Sequence, residues 1–290
     1  MPRWEALGRA IVGESDPVPK VMGIVNVTPD SFSDGGRYSD TALAVAHARS
    51  LEGEGADLLD LGGESSRPGS TPVPLDEELR RVIPVIEAVS AELSLPVSVD
   101  TTKAEVARRA IAAGASVVND ISALTFDPGL ARVVADAGAG VVLMHMRGDP
   151  RTMQNDPRYD DVVSEVYEYL ARRIEAAGVA GIPPERVAID PGIGFGKKDR
   201  HNLELLRNLG RFASLGCVVL IGTSRKGLLG KMTGRPVDQR ATASVVSALA
   251  AGVTGALVLR VHDVGPMADA IKVWSAQVGW GRVGHEPLSQ

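Results

Sequence analysis

The stretch PVSVDTTKAEVARRAIAAGASVVNDI (96–121) decides the fold. Two short β-branched runs, PVSVDT and SVVNDI, flank a helix pattern over 103–113. A strand, a helix and a second strand in immediate succession imply a right-handed crossover between parallel neighbours. Gly114, in AAGAS, stands where the helix must end on a left-handed residue.

The same unit recurs along the chain. Strand patterns fall at 21–27, 57–62, 96–101, 116–121, 140–146, 186–192, 217–223 and 255–263. Helix patterns follow them at 41–53, 76–93, 103–113, 128–137, 160–177, 202–209, 240–251 and 265–277. Eight strand–helix units is the count that a closed (β/α)8 TIM barrel needs. The joints EGEGAD, AAGAS, ADAGAG, EAAGVAG, ASLG and AAGVTG all carry glycine at the helix end. An open doubly wound sheet is the competing architecture, but no glycine-rich dinucleotide fingerprint follows the first strand. The expected organisation is therefore one α/β barrel domain over 1–290, with its core at about 20–278, an N-terminal extension at 1–19 and a tail at 279–290.

Composition agrees with this and excludes some partners. Only 4% of residues are aromatic, so Val, Ile, Leu and Ala must fill the core. The net charge is −5 and no long Lys/Arg run appears, which argues against nucleic acid. The start, MPRWEALGRAIVGESDP, lacks the apolar region of a signal peptide, and no apolar run approaches the roughly 18 residues of a membrane span. A single cysteine, Cys217 in CVVLIGT, is expected to be a small buried hydrophobe. These features predict a soluble cytoplasmic protein.

The chemistry is concentrated after the strands. Two long polar connections, NVTPDSFSDGGRYSD and GGESSRPGSTPVPLD, follow the first two strands and are expected to be mobile loops. Asn26, Asp100, Asn119, Asp120, His145, Asp190, Arg260, His262 and Asp263 lie at strand ends, with Glu64–Arg67 and Ser224–Lys226 just beyond. Charged groups there are costly unless they are paired or bind something, and the C-terminal end of barrel strands is the catalytic face. Asp100, Asn119 and Asp190 suit a flat nitrogen heterocycle bearing N–H groups. Arg67, Lys226, Arg260 and His262 suit a phosphate or diphosphate, which late barrel strands often hold. For His262 and Asp263 a local cap and ion pair is the competing reading. Histidine and cysteine spacings give no zinc site, whereas Mg2+ held mainly by a substrate diphosphate needs few protein ligands.

The motifs MGIVNVTPDSFSDGG (22–36), DLGGESSRPG (60–69), VSVDT (97–101), VNDIS (118–122), LMHMRGDPRTMQ (143–154), DPGIGFGK (190–197), GTSRKG (222–227) and RVHDV (260–264) resemble the dihydropteroate synthases. The resemblance runs in order over about 20–275 and places a motif at every strand end. It implies a transferase of folate biosynthesis. Such enzymes join 6-hydroxymethyl-7,8-dihydropterin pyrophosphate to p-aminobenzoate, releasing 7,8-dihydropteroate and pyrophosphate. It further implies that Asp100, Asn119, Asp190 and Lys226 hold the pterin, with Met144 near its ring. Asn26, Arg260 and His262 would bind the pyrophosphate, and Asn26 would also meet Mg2+. Phe32, Ser66, Arg67, Pro68, Ser224 and the stem of Lys226 would shape the p-aminobenzoate site, where sulfonamides compete. Asp34, in the first loop, would close over the reacting centre and stabilise a cation-like pterin methylene; Lys226, Arg260 and His262 complete the catalytic set. Ser66 stands where the family often has threonine, and both carry a hydroxyl. No insertion adjoins Phe32, so sulfonamide sensitivity is expected. A homodimer is implied, with the small apolar helix around 243–249 as its face. A pterin-dependent corrinoid methyltransferase and a non-catalytic pterin-binding paralogue are the alternatives. The first would have no use for Ser65–Pro68 or Ser224–Lys226, and the second would have lost Asn26, Asp34, Arg67, Arg260 or His262.

Overall fold

The computed structural model describes residues 2–14, 16–27 and 37–280. It opens with an antiparallel hairpin, β1 (Trp4–Ala6) and β2 (Arg9–Val12). Eight parallel strands then close a barrel: β3 (Lys20–Asn26), β4 (Leu58–Gly62), β5 (Val97–Asp100), β6 (Val117–Asp120), β7 (Gly140–Met144), β8 (Val187–Asp190), β9 (Val218–Ile221) and β10 (Val258–Val261), with β10 pairing back onto β3. The helices between them are α1 (Arg37–Glu54), α2 (Leu75–Glu92), α3 (Ala104–Ala112), α4 (Leu130–Ala137), α5 (Val162–Val179), α6 (Asp199–Arg207), α7 (Leu209–Ala213), α8 (Gly227–Thr233), α9 (Ala241–Val253) and α10 (Val264–Gln277). The expected TIM barrel is what the chain forms.

Strand alternation sets where the core and the site lie. Side chains of one parity, among them Val25, Leu59, Leu61, Val99, Val118, Leu143, Ile189 and Leu259, pack outward under the helices. The other parity faces the barrel axis, where Met22, Leu58, Val117, Val142, Ala188, Val218 and Val258 form an apolar plug. Two residues further along the same strands, the axial positions are Asp60, Asn119, Met144, Asp190 and Arg260. Each of these strands is thus apolar at its base and, Met144 excepted, polar at its mouth.

The glycine-bearing joints behave as the sequence indicates. Gly55, Gly114, Gly138, Gly181, Gly216 and Gly255 all have φ between 71° and 125°. At Gly114 a Cβ would also stand 2.5 Å from the Ser90 side chain.

Three elements depart from expectation. The N-terminal extension contains the hairpin, whose Trp4, Ala6, Ile11 and Val12 join the apolar plug and floor the barrel. Its turn is Leu7–Gly8 at φ 50° and 74°, with no Asn-Gly or Asp-Gly to announce it, and the Leu7 N–H donates to the Gly138 carbonyl at 3.0 Å. The short helices α7 and α8 also escape periodicity, which needs more turns to register. In the tail, Trp280 packs on Trp274 with ring centroids 6.1 Å apart, and its Nε1–H donates to Ser275 Oγ; the remainder lies outside the described residues.

Trp4 is fully buried and its Nε1–H donates to the Arg186 carbonyl at 3.2 Å. Trp4→Ala should therefore lower stability by about 3 kcal/mol or more, read by urea denaturation. A loss under about 1 kcal/mol would mean that the hairpin does not floor the core.

Candidate active site

The mouth of the barrel is built on a buried carboxylate. Asp60 is fully buried, and its Oδ2 accepts from Arg260 Nε at 2.6 Å and from Asn119 Nδ2 at 3.0 Å. Its Oδ1 is buried with no partner among the described residues. Arg260 Nη2 also donates to Asp100 Oδ2 at 2.9 Å, so one guanidinium from β10 ties carboxylates from β4 and β5. Asp100 lies in register with Gly62 on one side and Asn119 on the other, which puts the two polar side chains shoulder to shoulder. Burial pushes the Asp100 carboxyl up to about 7, against the pull of Arg260.

Asp190 closes the opposite wall. It is 7% exposed, burial raises its carboxyl above the ordinary range, and its Oδ1 accepts the Gly192 N–H at 2.7 Å. The Lys226 ammonium lies 4.2 Å over the Phe195 ring; burial brings it down to about 8, partly offset by Asp190. Met144 packs with Ile121, Met146 and Met153, and Phe195 leans on that cluster. Two carboxylates, a carboxamide and an ammonium thus gather at the barrel mouth beside the apolar Met144 cluster.

The expected phosphate and arylamine residues are placed less uniformly. His262 is half-buried; burial, then Arg260 and Arg225, hold it down at about 3, so near pH 7 it is a neutral N–H donor and not a cation. Ser224 is buried at 7% exposure, and its Oγ accepts the His262 backbone N–H at 3.1 Å and lies 3.0 Å from His262 Nδ1. Its hydroxyl therefore engages His262. Asn26 ends β3 half-buried and makes no side-chain hydrogen bond to a described residue. Arg67 and Pro68 are exposed and Ser66 is half-buried, on a loop moored to the one after β7 by the Gly69 N–H and the Pro150 carbonyl at 2.9 Å. Phe32 and Asp34 lie outside the described residues.

Other strand-end groups are taken up by neighbours of their own. The Asp120 carboxylate accepts the backbone N–H groups of Ser122 and Leu124, where Ala123 and Leu124 are left-handed. Asp263 is forked by Arg225, as the ion-pair reading expects. Glu64 meets Lys103, which also holds buried Glu78. His145 is packed edge-on against Tyr169, with its Nδ1 2.9 Å from Lys197 Nζ, and burial brings it down to about 2.

Sequence reasoning assigned no role to Asp60 or Lys197, although both lie in quoted motifs. The signal for Asp60 is a carboxylate inside the otherwise apolar strand LLDLG. Lys197 carries none, because its burial is produced by backbone from elsewhere. Its Nζ donates to the carbonyls of Gly192 (2.9 Å), Phe195 (2.9 Å) and His145 (3.2 Å), and burial lowers it well below the usual lysine range. Gly192 lets the two loops touch: at φ 71°, a Cβ there would stand 1.9 Å from the His145 carbonyl oxygen.

Comparisons with known proteins show the family. A family model described as pterin binding enzyme matches residues 22–262. The dihydropteroate synthase of Escherichia coli strain K12 is 45% identical over 258 residues, covering 89% of this chain and 91% of that one. That of Neisseria meningitidis serogroup B is 47% identical over 279 residues, covering 94% and 96%. Among solved structures, the Xanthomonas albilineans dihydropteroate synthase with 4-aminobenzoic acid is 53% identical, with a TM-score of 0.87 and coverage of 95% and 97%. The Yersinia pestis enzyme in complex with a sulfonamide drug is 41% identical, with a TM-score of 0.88 and coverage of 94% and 98%. The chain belongs to the pterin-binding enzymes and, within them, to the dihydropteroate synthases, which are transferases. The corrinoid methyltransferase and non-catalytic readings are not favoured by these relatives.

Lys197→Met should cost about 3 kcal/mol in chemical denaturation, because it leaves buried carbonyls without a donor. Unchanged stability would show that the three carbonyls find other partners.

Proposed function

We propose that this chain condenses 6-hydroxymethyl-7,8-dihydropterin pyrophosphate with p-aminobenzoate, giving 7,8-dihydropteroate and pyrophosphate. The observation that carries the reading is the set of polar groups gathered at the barrel mouth. Acceptors Asp100, Asn119 and Asp190 stand with the apolar Met144 cluster, and the cationic or N–H donor groups Lys226, Arg260 and His262 accompany them. A pterin presents ring N–H groups to carboxylates, and a departing diphosphate needs donors and positive charge.

In this division Asp100, Asn119 and Asp190 hold the pterin and Met144 packs near its ring. Lys226 donates to the pterin and, through its stem, borders the arylamine. Arg260 is held by Asp60 and Asp100, which orient its guanidinium toward the diphosphate end. His262 gives the diphosphate an N–H, and Ser224 sets the angle of its ring. Ser66, Arg67 and Pro68 border the arylamine; from the family resemblance Phe32 is assigned there too, and Asp34 to the reacting centre. As the C–O bond to the diphosphate breaks, the pterin methylene gains cationic character, which the Asp34 carboxylate stabilises. The neutral arylamine then attacks the methylene, and its nitrogen loses a proton.

Mg2+ fits this site in one respect. Among the described residues no group of three His, Cys, Asp or Glu side chains is arranged to cage a metal. The diphosphate end instead offers the Asn26 carboxamide, which has no hydrogen-bond partner among the described residues and suits an ion bound mostly by diphosphate and water. Bound there, Mg2+ would neutralise charge on the leaving group.

We assign the enzyme to the cytoplasm as a homodimer. No helix among the described residues is long and apolar enough to cross a membrane, and the single cysteine is buried and unpaired. On α9, Val246 is 62% exposed, which supports that helix as the dimer face.

The reading is tested by pyrophosphate release. Release should require Mg2+ and the arylamine, and should fall with a sulfonamide; release independent of the arylamine would overturn it. Asp190→Ala should abolish pterin binding in calorimetry, because ring N–H groups lose their buried acceptor. Arg260→Ala should weaken the pterin diphosphate more than a free pterin. The pH profile of kcat/KM for the pterin diphosphate should be a bell. Its acid limb follows Asp100, which gains its charge as pH rises through about 7, and its alkaline limb follows Lys226, which loses its charge above about 8. A flat profile from about pH 6 to about pH 9 would count against both roles.

A further inference from the structure

Between Ser224 and Lys226 the backbone is held in a conformation that its own sequence disfavours. Arg225 has φ 56°, the left-handed region, which a residue with a Cβ occupies only when its surroundings enforce it. Two sets of contacts enforce it here. The Arg225 guanidinium forks onto Asp263, Nε to Oδ2 at 3.2 Å and Nη2 to Oδ1 at 2.6 Å, while its backbone N–H donates to Ser244 Oγ at 2.9 Å. From the other side Arg240 Nη1 donates to the carbonyls of Arg225 at 3.1 Å and Lys226 at 3.4 Å, and Arg240 Nε donates to the Arg235 carbonyl at 3.0 Å. Ser244 Oγ donates in turn to the Arg240 carbonyl at 2.7 Å. The N-terminal end of α9 therefore grips the turn by both its N–H and its C=O groups.

The neighbouring helix leaves room for this grip. Gly230 on α8 faces the Arg240 side chain, and a Cβ there would stand 2.2 Å from Nη2, 2.4 Å from Cζ and 2.6 Å from Nε. The backbone φ of Gly230 is not left-handed, so the reason for glycine is space.

We infer that Arg240 is a positioning residue for the pterin diphosphate site: it fixes the left-handed turn at Arg225, and so aims Lys226 and the Ser224–His262 pair. Gly230 is the residue that admits its guanidinium. The inference rests on the roles proposed above for Lys226 and His262.

The two residues give two independent ways to release the same turn. Arg240→Met removes the donor, and Gly230→Ala keeps the donor but displaces it. Both are made in the full chain, and pterin diphosphate binding is measured by calorimetry alongside KM, kcat and the thermal midpoint. Each should raise the dissociation constant and KM for the pterin diphosphate roughly ten- to hundredfold, the scale of one or two lost charge-assisted hydrogen bonds. The turnover number should fall less than the affinity, since neither side chain itself meets the reacting atoms. Arg240→Lys should recover part of the affinity, because an ammonium reaches one carbonyl but cannot fork. The double variant should be no worse than Arg240→Met alone, as expected for two changes acting through one contact. Variants that melt earlier yet bind as the parent does would show a merely structural arginine and overturn the inference, as would losses that add in the double variant. A parent chain that binds no pterin diphosphate would overturn the functional reading itself, an outcome distinct from a binding parent with unaffected variants.

Discussion

A fully buried carboxylate at the axis is the constraint around which the mouth of this barrel is organised. Asp60 is inserted into an apolar strand where no water reaches it. Such a group is tolerable only with a cation and good hydrogen bonds beside it, because the cost of desolvating an unpaired charge is large. Arg260 supplies the cation from the other end of the chain, and Asn119 adds a neutral donor. The pair reaches across β3, where the last strand closes onto the first, so the same contact that satisfies Asp60 staples the seam of the barrel.

Much of the site follows from that pairing. Asp100 shares the Arg260 guanidinium, and burial raises its carboxyl toward neutrality. Asp190 and Lys226 face each other on the opposite wall, each shifted by burial and each drawn back by the other's charge. Protein contacts thus restrain Asp100, Asn119, Asp190 and Arg260 at the barrel mouth. Restrained donors and acceptors need little reorganisation when charge develops, which is what diphosphate departure requires of its surroundings.

Around this centre stands a set of contacts made by residues that need not touch a ligand. Lys197 knots the loops after β7 and β8 through three carbonyls, and places Phe195 under Lys226. Lys103 joins Glu64, at the root of the second loop, to buried Glu78 on α2. Arg225, Arg240 and Ser244 hold the turn after β9. Loops carry functional groups of the barrel, and these buried or forked basic side chains give the loops a fixed geometry.

The sequence by itself determined the barrel and most of the pocket. β-branched runs of period two, helix patterns and six glycines at the joints are local signals, written within a few residues of where they act. Asp100, Asn119, Asp190 and Arg260 were legible because a polar residue at the end of an apolar strand stands out from its neighbours. The tertiary structure alone decided which of those polar groups face one another. Asp60 and Arg260 are 200 residues apart, and nothing near either names its partner. Only the tertiary structure showed that Ser224 engages His262, that His145 and Asp120 are taken up by Lys197 and by backbone N–H groups, and that the hairpin turning at Leu7–Gly8 floors the core. The difference is one of range: backbone conformation responds to near neighbours, whereas the pairing of buried charges depends on how distant strands come into register.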